Sequence, residues 1–294
     1  MTVHVLRNGA VAASAAASAT VRDLVRSRGL ECVEIAAASA SEVATVVARA
    51  VDDGSERVIV VGGDGLVHLA IQALATHEVP LGLVPFGTGN DFARSFAIAD
   101  DDLVAATTQA LGPATPIDAI EADGVWVASI ATIGFAAAVN ARANALRLPI
   151  GSSRYTLATL LEIGRFSPRL TRLVIDGVEH TMPVAMIAIA NTAYFGGGMA
   201  ICPQADPTDG LLDVCIVGQV GRLELLRWFP RVFKGTHVDH PAVQMHKVRT
   251  LSVLDGFTDT RGDGEAVGPV PRTFRAVPGA LRVAIGPGPK GNAS

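Results

Sequence analysis

No apolar run in the 294 residues approaches the ~18 that a membrane-spanning helix needs, so any contact with a membrane is expected to be peripheral. Aromatic residues are scarce, at 5%, and the 49% apolar content therefore rests mainly on Ala, Val, Leu and Ile, the composition of an ordinary α/β protein. That content excludes the disordered class. Cysteine is nearly absent: Cys32, Cys202 and Cys215 are odd in number and far apart, which gives neither a metal-ligand spacing nor a disulfide framework and fits a reducing cytoplasm. Positive charge is not in excess. A net charge of -4 argues against a general nucleic-acid binder, while leaving room for local basic patches that meet an anionic surface. The Ala/Ser-rich stretch at 10–19 lacks the Leu and Phe of a signal-peptide core, and the run Val3, His4, Val5, Leu6 before it reads as a first strand feeding a helix.

A chain of this length is expected to divide into two domains. Residues 1–116 alternate short β-branched runs, at 3–6, 32–35, 58–61 and 81–84, with helical patterns at 41–51 and 66–74. That alternation predicts an α/β domain with a parallel sheet and crossover helices. The acidic start and Pro/Gly punctuation of 100–116 place a boundary between Gly112 and Asp118. From 117 to 294 the pattern changes to alternating strands with Gly, Asp and Pro turns, as in Leu212, Val214, Ile216 and in Leu281, Val283, Ile285, which predicts a mostly antiparallel β-sandwich domain. The exception is a helix expected over 154–166 on the spacing of Leu157, Leu160 and Leu161.

Two loops carry the chemistry. The apolar strand at 58–61 runs into Gly62-Gly63-Asp64-Gly65 and then into the helix beginning at Leu66. Glycines there allow close backbone approach to a ligand, and a helix N-terminus offers N–H groups to an anion. Asp64 beside such a site has two readings: a carboxylate for metal or proton work, or an N-capping residue in an Asp-Gly turn. The strand at 81–85 ends in Phe86-Gly87-Thr88-Gly89-Asn90-Asp91-Phe92-Ala93-Arg94, where Thr88 supplies a hydroxyl and Asn90 or Asp91 either caps the next helix or touches ligand. Both loops follow the carboxyl ends of parallel strands, where ligands bind in open α/β sheets.

The pair of motifs, about twenty residues apart, resembles the catalytic domain of diacylglycerol kinases and related bacterial lipid kinases. Gly-Gly-Asp-Gly alone also resembles phosphofructokinases and NAD kinases; the Gly-Thr-Gly-Asn-Asp-Phe-Ala-Arg run is the more specific. Asn191, Gly196-Gly197-Gly198-Met199, Pro203, Asp209-Gly210, Leu212-Asp213 and Asp263-Gly264-Glu265 continue the family's order to near the end of the chain. The resemblance implies a phosphofructokinase/NAD kinase-like first domain and an ATP-dependent transfer of phosphate to a lipid hydroxyl, with diacylglycerol the first expectation and another lipid alcohol or a silent lipid- or nucleotide-binding regulator the alternatives.

It further implies a nucleotide cleft between the domains. Asn8, Gly62, Gly63, Asp64, Gly65, Leu66, Val67 and His68 would lie around the ATP together with Gly87, Thr88, Gly89 and Asn90. Glu265 or Asp64 would be the general base. A structural Mg²⁺ would sit at Asp209 with backbone oxygens of Asp206 and Leu211, although the same segment also reads as an empty β-turn. Leu66, His68 and Leu69 stand where the family usually has Thr, Asn and Glu, which spares the backbone cradle and removes side-chain contacts; His68 itself reads as a packing residue on a helix.

A lipid kinase without a spanning helix would work at the inner surface of the membrane, and two basic stretches are candidates for reaching it. Residues 141–172 hold six arginines against Glu162, and residues 222–234 combine four cations with Trp228 and Phe229. Each also reads as a solvated helix face. Exposed sheet edges in the second domain are compatible with a homodimer.

Overall fold

The computed structural model describes residues 1–145, 157–158, 161–162 and 167–285. It falls into two compact units, Met1–Ile117 with Gly279–Ser294, and Asp118–Pro278.

In the first unit, strands β1 (Thr2–Asn8), β2 (Glu31–Ala37), β3 (Arg57–Gly62) and β4 (Leu81–Pro85) form a parallel sheet in the order β2-β1-β3-β4. Every residue of β3 and β4 is buried, as expected of a parallel sheet covered on both faces. Helices α1 (Ala12–Ser27), α2 (Ala40–Asp52), α3 (Asp64–Leu74), α4 (Asp91–Ser95) and α5 (Leu103–Ala110) supply the cover. Helix α1 buries Ser14, Ala17, Ser18, Val21 and Val25, one face of a 3.6-residue period, and its Ala17, Val21 and Val25 pack with Ala106 and Ala110 of α5 on Val3, Val5, Ile59, Val61 and Val84. The stretch read only as acidic and punctuated contains α5, whose N-cap Asp102 accepts the N–H groups of Val104 and Ala105 at 2.8 and 3.0 Å.

The second unit contains β5 (Thr115–Ala122, shared across the division), β6 (Val125–Val127), β7 (Ile130–Gly134), β8 (Arg169–Ile175), β9 (Val178–Val184) and β10 (Met186–Ala190). A short ribbon follows, β11 (Tyr194–Phe195) with β12 (Met199–Ala200). Then come β13 (Leu212–Val217), β14 (Val243–Val248), β15 (Thr250–Val253), β16 (Asp259–Gly262), β17 (Glu265–Pro269) and β18 (Arg272–Val283). One antiparallel sheet runs β14-β13-β10-β7-β16-β17; β18, β15, β8 and β9 form the other. Their facing side chains, among them Ile133, Ile187, Ile189, Leu212, Val214, Ile216, Leu251 and Phe274, make the sandwich core. The opposite face of the first of these sheets is also buried: Met186, Ala188, Ala190, Cys215 and Val217 alternate with the core set and pack under α6 (Phe135–Ala145). Burial pushes the Cys215 thiol up to about 12 and raises Cys202 as well, so both are packing groups rather than nucleophiles.

Two expectations need correction or restriction. The second domain does not run from 117 to 294, because the chain returns to the first unit at Gly279: Ala280 accepts the Thr76 N–H at 2.7 Å, Val283 pairs in parallel with Leu81, and Ala284 donates to the Leu81 carbonyl at 2.8 Å. The helix expected over 154–166 lies outside the described residues except for Leu157, Ala158, Leu161 and Glu162, which are helical; Arg147, Arg154 and Arg165 of the first basic stretch lie outside them too.

Candidate active site

The ends of β1, β3 and β4 bring Asn8, the loop at 62–65 and the loop at 86–90 to one carboxyl edge of the parallel sheet. The two loops pack glycine against glycine: a Cβ on Gly87 would lie 2.6 Å from the Gly63 Cα, which leaves no room for any side chain. The Phe86 N–H donates to the Gly62 carbonyl at 2.9 Å and carries the β3–β4 ladder into the loops. Gly63 caps α3 without a side chain, so the helix starts with its positive end at the loop.

Asp64 ties the loops together. Its Oδ2 accepts the Asp91 N–H at 3.1 Å and its Oδ1 the Phe92 N–H at 3.0 Å, which makes it the capping carboxylate of α4. The cap expected from Asn90 or Asp91 therefore comes from 27 residues upstream. Asn90 holds the left-handed φ of 50° that turns the chain into α4, makes no side-chain cap, and keeps a buried Oδ1 with no hydrogen-bond partner among the described residues. Asp91 pairs with Arg94 at 3.2 Å. Thr88 is exposed on the loop, whereas the side chains of Leu66, Val67 and His68 are buried in the helix packing and only their backbone remains for a ligand. Asn8 accepts the Ala10 N–H through Oδ1 at 2.9 Å and shapes the turn after β1. A backbone cradle at a helix N-terminus and an exposed hydroxyl fit phosphate oxygens, while the unmatched Asn90 Oδ1 is an acceptor and suits a hydroxyl or amino donor of a nucleotide.

In the second unit, β16 and β17 are joined by Asp263-Gly264, both at positive φ (50° and 91°), a tight two-residue hairpin turn. The Asp263 carboxylate accepts N–H groups from Ala128 (2.9 Å), Ser129 (2.8 Å) and Ile130 (3.3 Å), so the turn is pinned to the start of β7. Glu265, the next residue, is exposed, and its carboxylate has no hydrogen-bond or ion-pair partner among the described residues. On its inner side the turn reaches Asn140 of α6: a Cβ on Gly264 would lie 3.7 Å from the Asn140 Nδ2.

Asn140 also lines an apolar cavity of about 90 Å³, with Phe135, Met186, Phe195, Met199, Ile201 and Val217 below it. The remaining wall is helix α7 (Arg222–Val232), through Leu225, Trp228, Phe229 and Val232. Two buried histidines complete it. His237 bonds the Ile201 carbonyl at 3.0 Å, and burial lowers its pKa; His240 bonds Glu224 at 3.1 Å and meets the Trp228 ring edge-on at 4.5 Å. The sequence alone did not expose Asn140 or this cavity.

The segment expected to hold Mg²⁺ meets an ammonium instead. Lys247 Nζ lies 2.6 Å from Asp209 Oδ2 and 3.6 Å from Asp213 Oδ2, opposite Asp213 in the β13–β14 register. Asp209 Oδ1 accepts the Leu211 N–H at 3.0 Å, and Asp206 is occupied by Thr208. The hydrogen bond to Asp209 raises the Lys247 pKa, while burial raises that of Asp213. Among the described residues no cluster of three or more His, Cys, Asp or Glu could hold a metal ion. In this arrangement the Lys247 ammonium balances the carboxylates of Asp209 and Asp213. Without nucleotide, chelation with EDTA is expected to leave the melting temperature of the wild type unmoved. Lys247→Met is expected to lower it by about 2–4 °C, the effect of roughly 1 kcal/mol at a partly exposed pair, and added Mg²⁺ to restore it. A chelator-sensitive wild type would return the site to a metal.

Comparisons with known proteins agree with this arrangement. The family model of the diacylglycerol kinase catalytic domain matches residues 2–122, and that of the YegS C-terminal NAD kinase beta sandwich-like domain matches residues 129–285. The chain is 39% identical over 269 residues to the diacylglycerol kinase of Mycobacterium tuberculosis, covering 88% of this chain and 86% of that one. A protein of Xanthomonas axonopodis pv. citri named Probable lipid kinase YegS-like is 37% identical over 184 residues, 58% of this chain and 59% of its own length. The crystal structure of a diacylglycerol kinase from Bacillus anthracis superposes with a TM-score of 0.79 at 18% identity over 97% of both chains, which bears on the fold. An α/β unit with a phosphate cradle, carried in one chain with a β-sandwich of this type, defines a phosphotransferase that acts on an alcohol group. The chain belongs to the diacylglycerol kinase family of lipid kinases.

Proposed function

We propose that the chain transfers the γ-phosphoryl group of ATP to the hydroxyl of diacylglycerol, giving phosphatidic acid and ADP. The observation that carries this reading is the apolar cavity beside the Asp263-Gly264-Glu265 turn, which shares Asn140 with it. A cavity walled by Phe, Met, Ile and Val suits hydrocarbon, at about 0.8 kcal/mol for each methylene buried. Identity of 39% to a protein named diacylglycerol kinase supports this acceptor over other lipid alcohols.

In the proposed reaction the exposed Glu265 carboxylate takes the proton of the acceptor hydroxyl, the alkoxide oxygen bonds to the γ-phosphorus, and the bond from that phosphorus to the β,γ-bridging oxygen breaks. The backbone of residues 62–65 and 87–90, the α3 N-terminus and Thr88 would hold the phosphates in line. Mg²⁺ carried by ATP would neutralise charge on the transferring group. Asp64 acts in this account as a positioning residue, because both its oxygens hold the second loop to the first. No described helix is long and apolar enough to cross a membrane, and in this reading the substrate is reached from the surface.

The test is transfer from labelled ATP with Mg²⁺ to diacylglycerol, sphingosine and ceramide presented separately in mixed micelles. Product from diacylglycerol is the expected result. Product from one of the other alcohols with none from diacylglycerol would reassign the acceptor.

A further inference from the structure

Helix α7 forms one wall of the apolar cavity, and its two faces differ in kind. Leu225, Trp228, Phe229 and Val232 share one face at helical spacing and line the cavity. On the other face Leu223 is 83% exposed, and Leu226 and, just past the helix end, Phe233 are exposed beside it. No residue of the helix is fully buried, so these large apolar groups cover no core of the fold. The charge on this face is of one sign. Residues 222–234 carry Arg222, Arg227, Arg231 and Lys234 against the single carboxylate of Glu224, and that carboxylate is bonded to His240. The Arg231 guanidinium carbon lies over the Trp228 ring, 3.9 Å from its centroid, which keeps a cation at the rim between the two faces.

Exposed Leu and Phe interleaved with Arg and Lys on one short helix is the composition of an interfacial helix. It would seat its apolar groups among headgroups and acyl chains while the cations meet lipid phosphate. The cavity behind it, at about 90 Å³, is smaller than the ~150 Å³ that admits a benzene ring, so it takes in only part of an acyl chain and the rest lies beyond its walls. The wall without a buried residue is α7.

We infer that the outer face of α7, with Leu223, Leu226, Arg227 and Phe233 at its centre, is the surface by which this protein docks on an anionic lipid bilayer, and that the same helix admits the lipid to the cavity behind it. The second half of this statement rests on the reading of the cavity as the acceptor site; the first stands without it.

The experiment uses the full chain and co-sedimentation with vesicles of phosphatidylcholine, with and without phosphatidylglycerol. Binding is expected to the anionic vesicles and to fall with added salt. Arg227→Ala is expected to weaken it about 5-fold, the contribution of one cation near such a surface, and Leu223→Asp to weaken it by more. Neither side chain lines the cavity, so both variants should melt with the wild type and phosphorylate a water-dispersed short-chain diacylglycerol at its rate, while losing rate on diacylglycerol in anionic vesicles. Equal binding to neutral and anionic vesicles, or unchanged binding in both variants, overturns the proposal. So does self-association of the wild type that Leu223→Asp abolishes, which would make the face a contact between copies. Failure of the wild type to phosphorylate the short-chain substrate would instead count against the acceptor reading and leave the vesicle result to decide the docking face.

Discussion

Replacement of Glu265 by alanine is expected to lower the rate of phosphoryl transfer by about 10²- to 10⁴-fold, the range for loss of a general base, and to leave the melting temperature where it was. The two halves of this expectation come from the same geometry. Glu265 is exposed and its carboxylate is without a partner among the described residues, so its truncation removes no interaction that the fold uses; such surface changes cost about 0.5 kcal/mol or less. The turn that presents it is fixed by its neighbour, because Asp263 holds three N–H groups at the start of β7. Asp263→Ala is the matched control. It strands those donors and is expected to lower both stability and activity, whereas Glu265→Ala lowers activity alone. Steady-state rates with saturating ATP, read beside thermal melting of the same preparations, check the pair. If Glu265→Ala retains a rate within tenfold of the wild type, the base lies elsewhere.

The features that positioned these residues were unevenly legible in the sequence. Strands β3 and β4 stood out because a parallel strand buried on both faces becomes a continuous apolar run, and a glycine loop follows each. The alternation of Leu212, Val214 and Ile216 was equally plain, since those side chains face the sandwich core while Cys215 and Val217 face α6. Contacts between residues distant in sequence were not legible. Nothing local marks Asp64 as the cap of a helix 27 residues on, and Asn90 and Asp91 had the better local claim. Lys247 meets Asp209 and Asp213 only through the β13–β14 register. A strand pattern such as 281–285 announces a strand without naming its partner, and here the partner is Leu81 in the first unit. The cavity escaped because six of the eleven residues of α6 are alanine, which marks no apolar face, and because the apolar stripe of α7 does not name the surface it meets.

Asp64→Ala is expected to behave unlike the Glu265 variant in each respect. The carboxylate caps α4 with both oxygens, and hydrogen bonds to a charged acceptor contribute about 1.5–3 kcal/mol each. After discounting for partial exposure, a loss of about 2–4 kcal/mol and a fall in melting temperature on the order of 10 °C follow. Without that tie the loop at 87–90 loses its anchor to the loop at 62–65, so the apparent KM for ATP should rise at least about 10-fold along with the fall in kcat, since misplaced binding groups cost both. Gly87→Ala tests the same contact from the other side. Its Cβ would meet the Gly63 Cα at 2.6 Å, so the loops must part, and the same rise in KM is expected with Asp64 intact. A bystander loop would tolerate the methyl group. Should Asp64→Ala abolish turnover while melting and ATP binding stay at wild-type values, Asp64 would be acting on the reacting groups themselves, and the assignment of the base to Glu265 would have to yield.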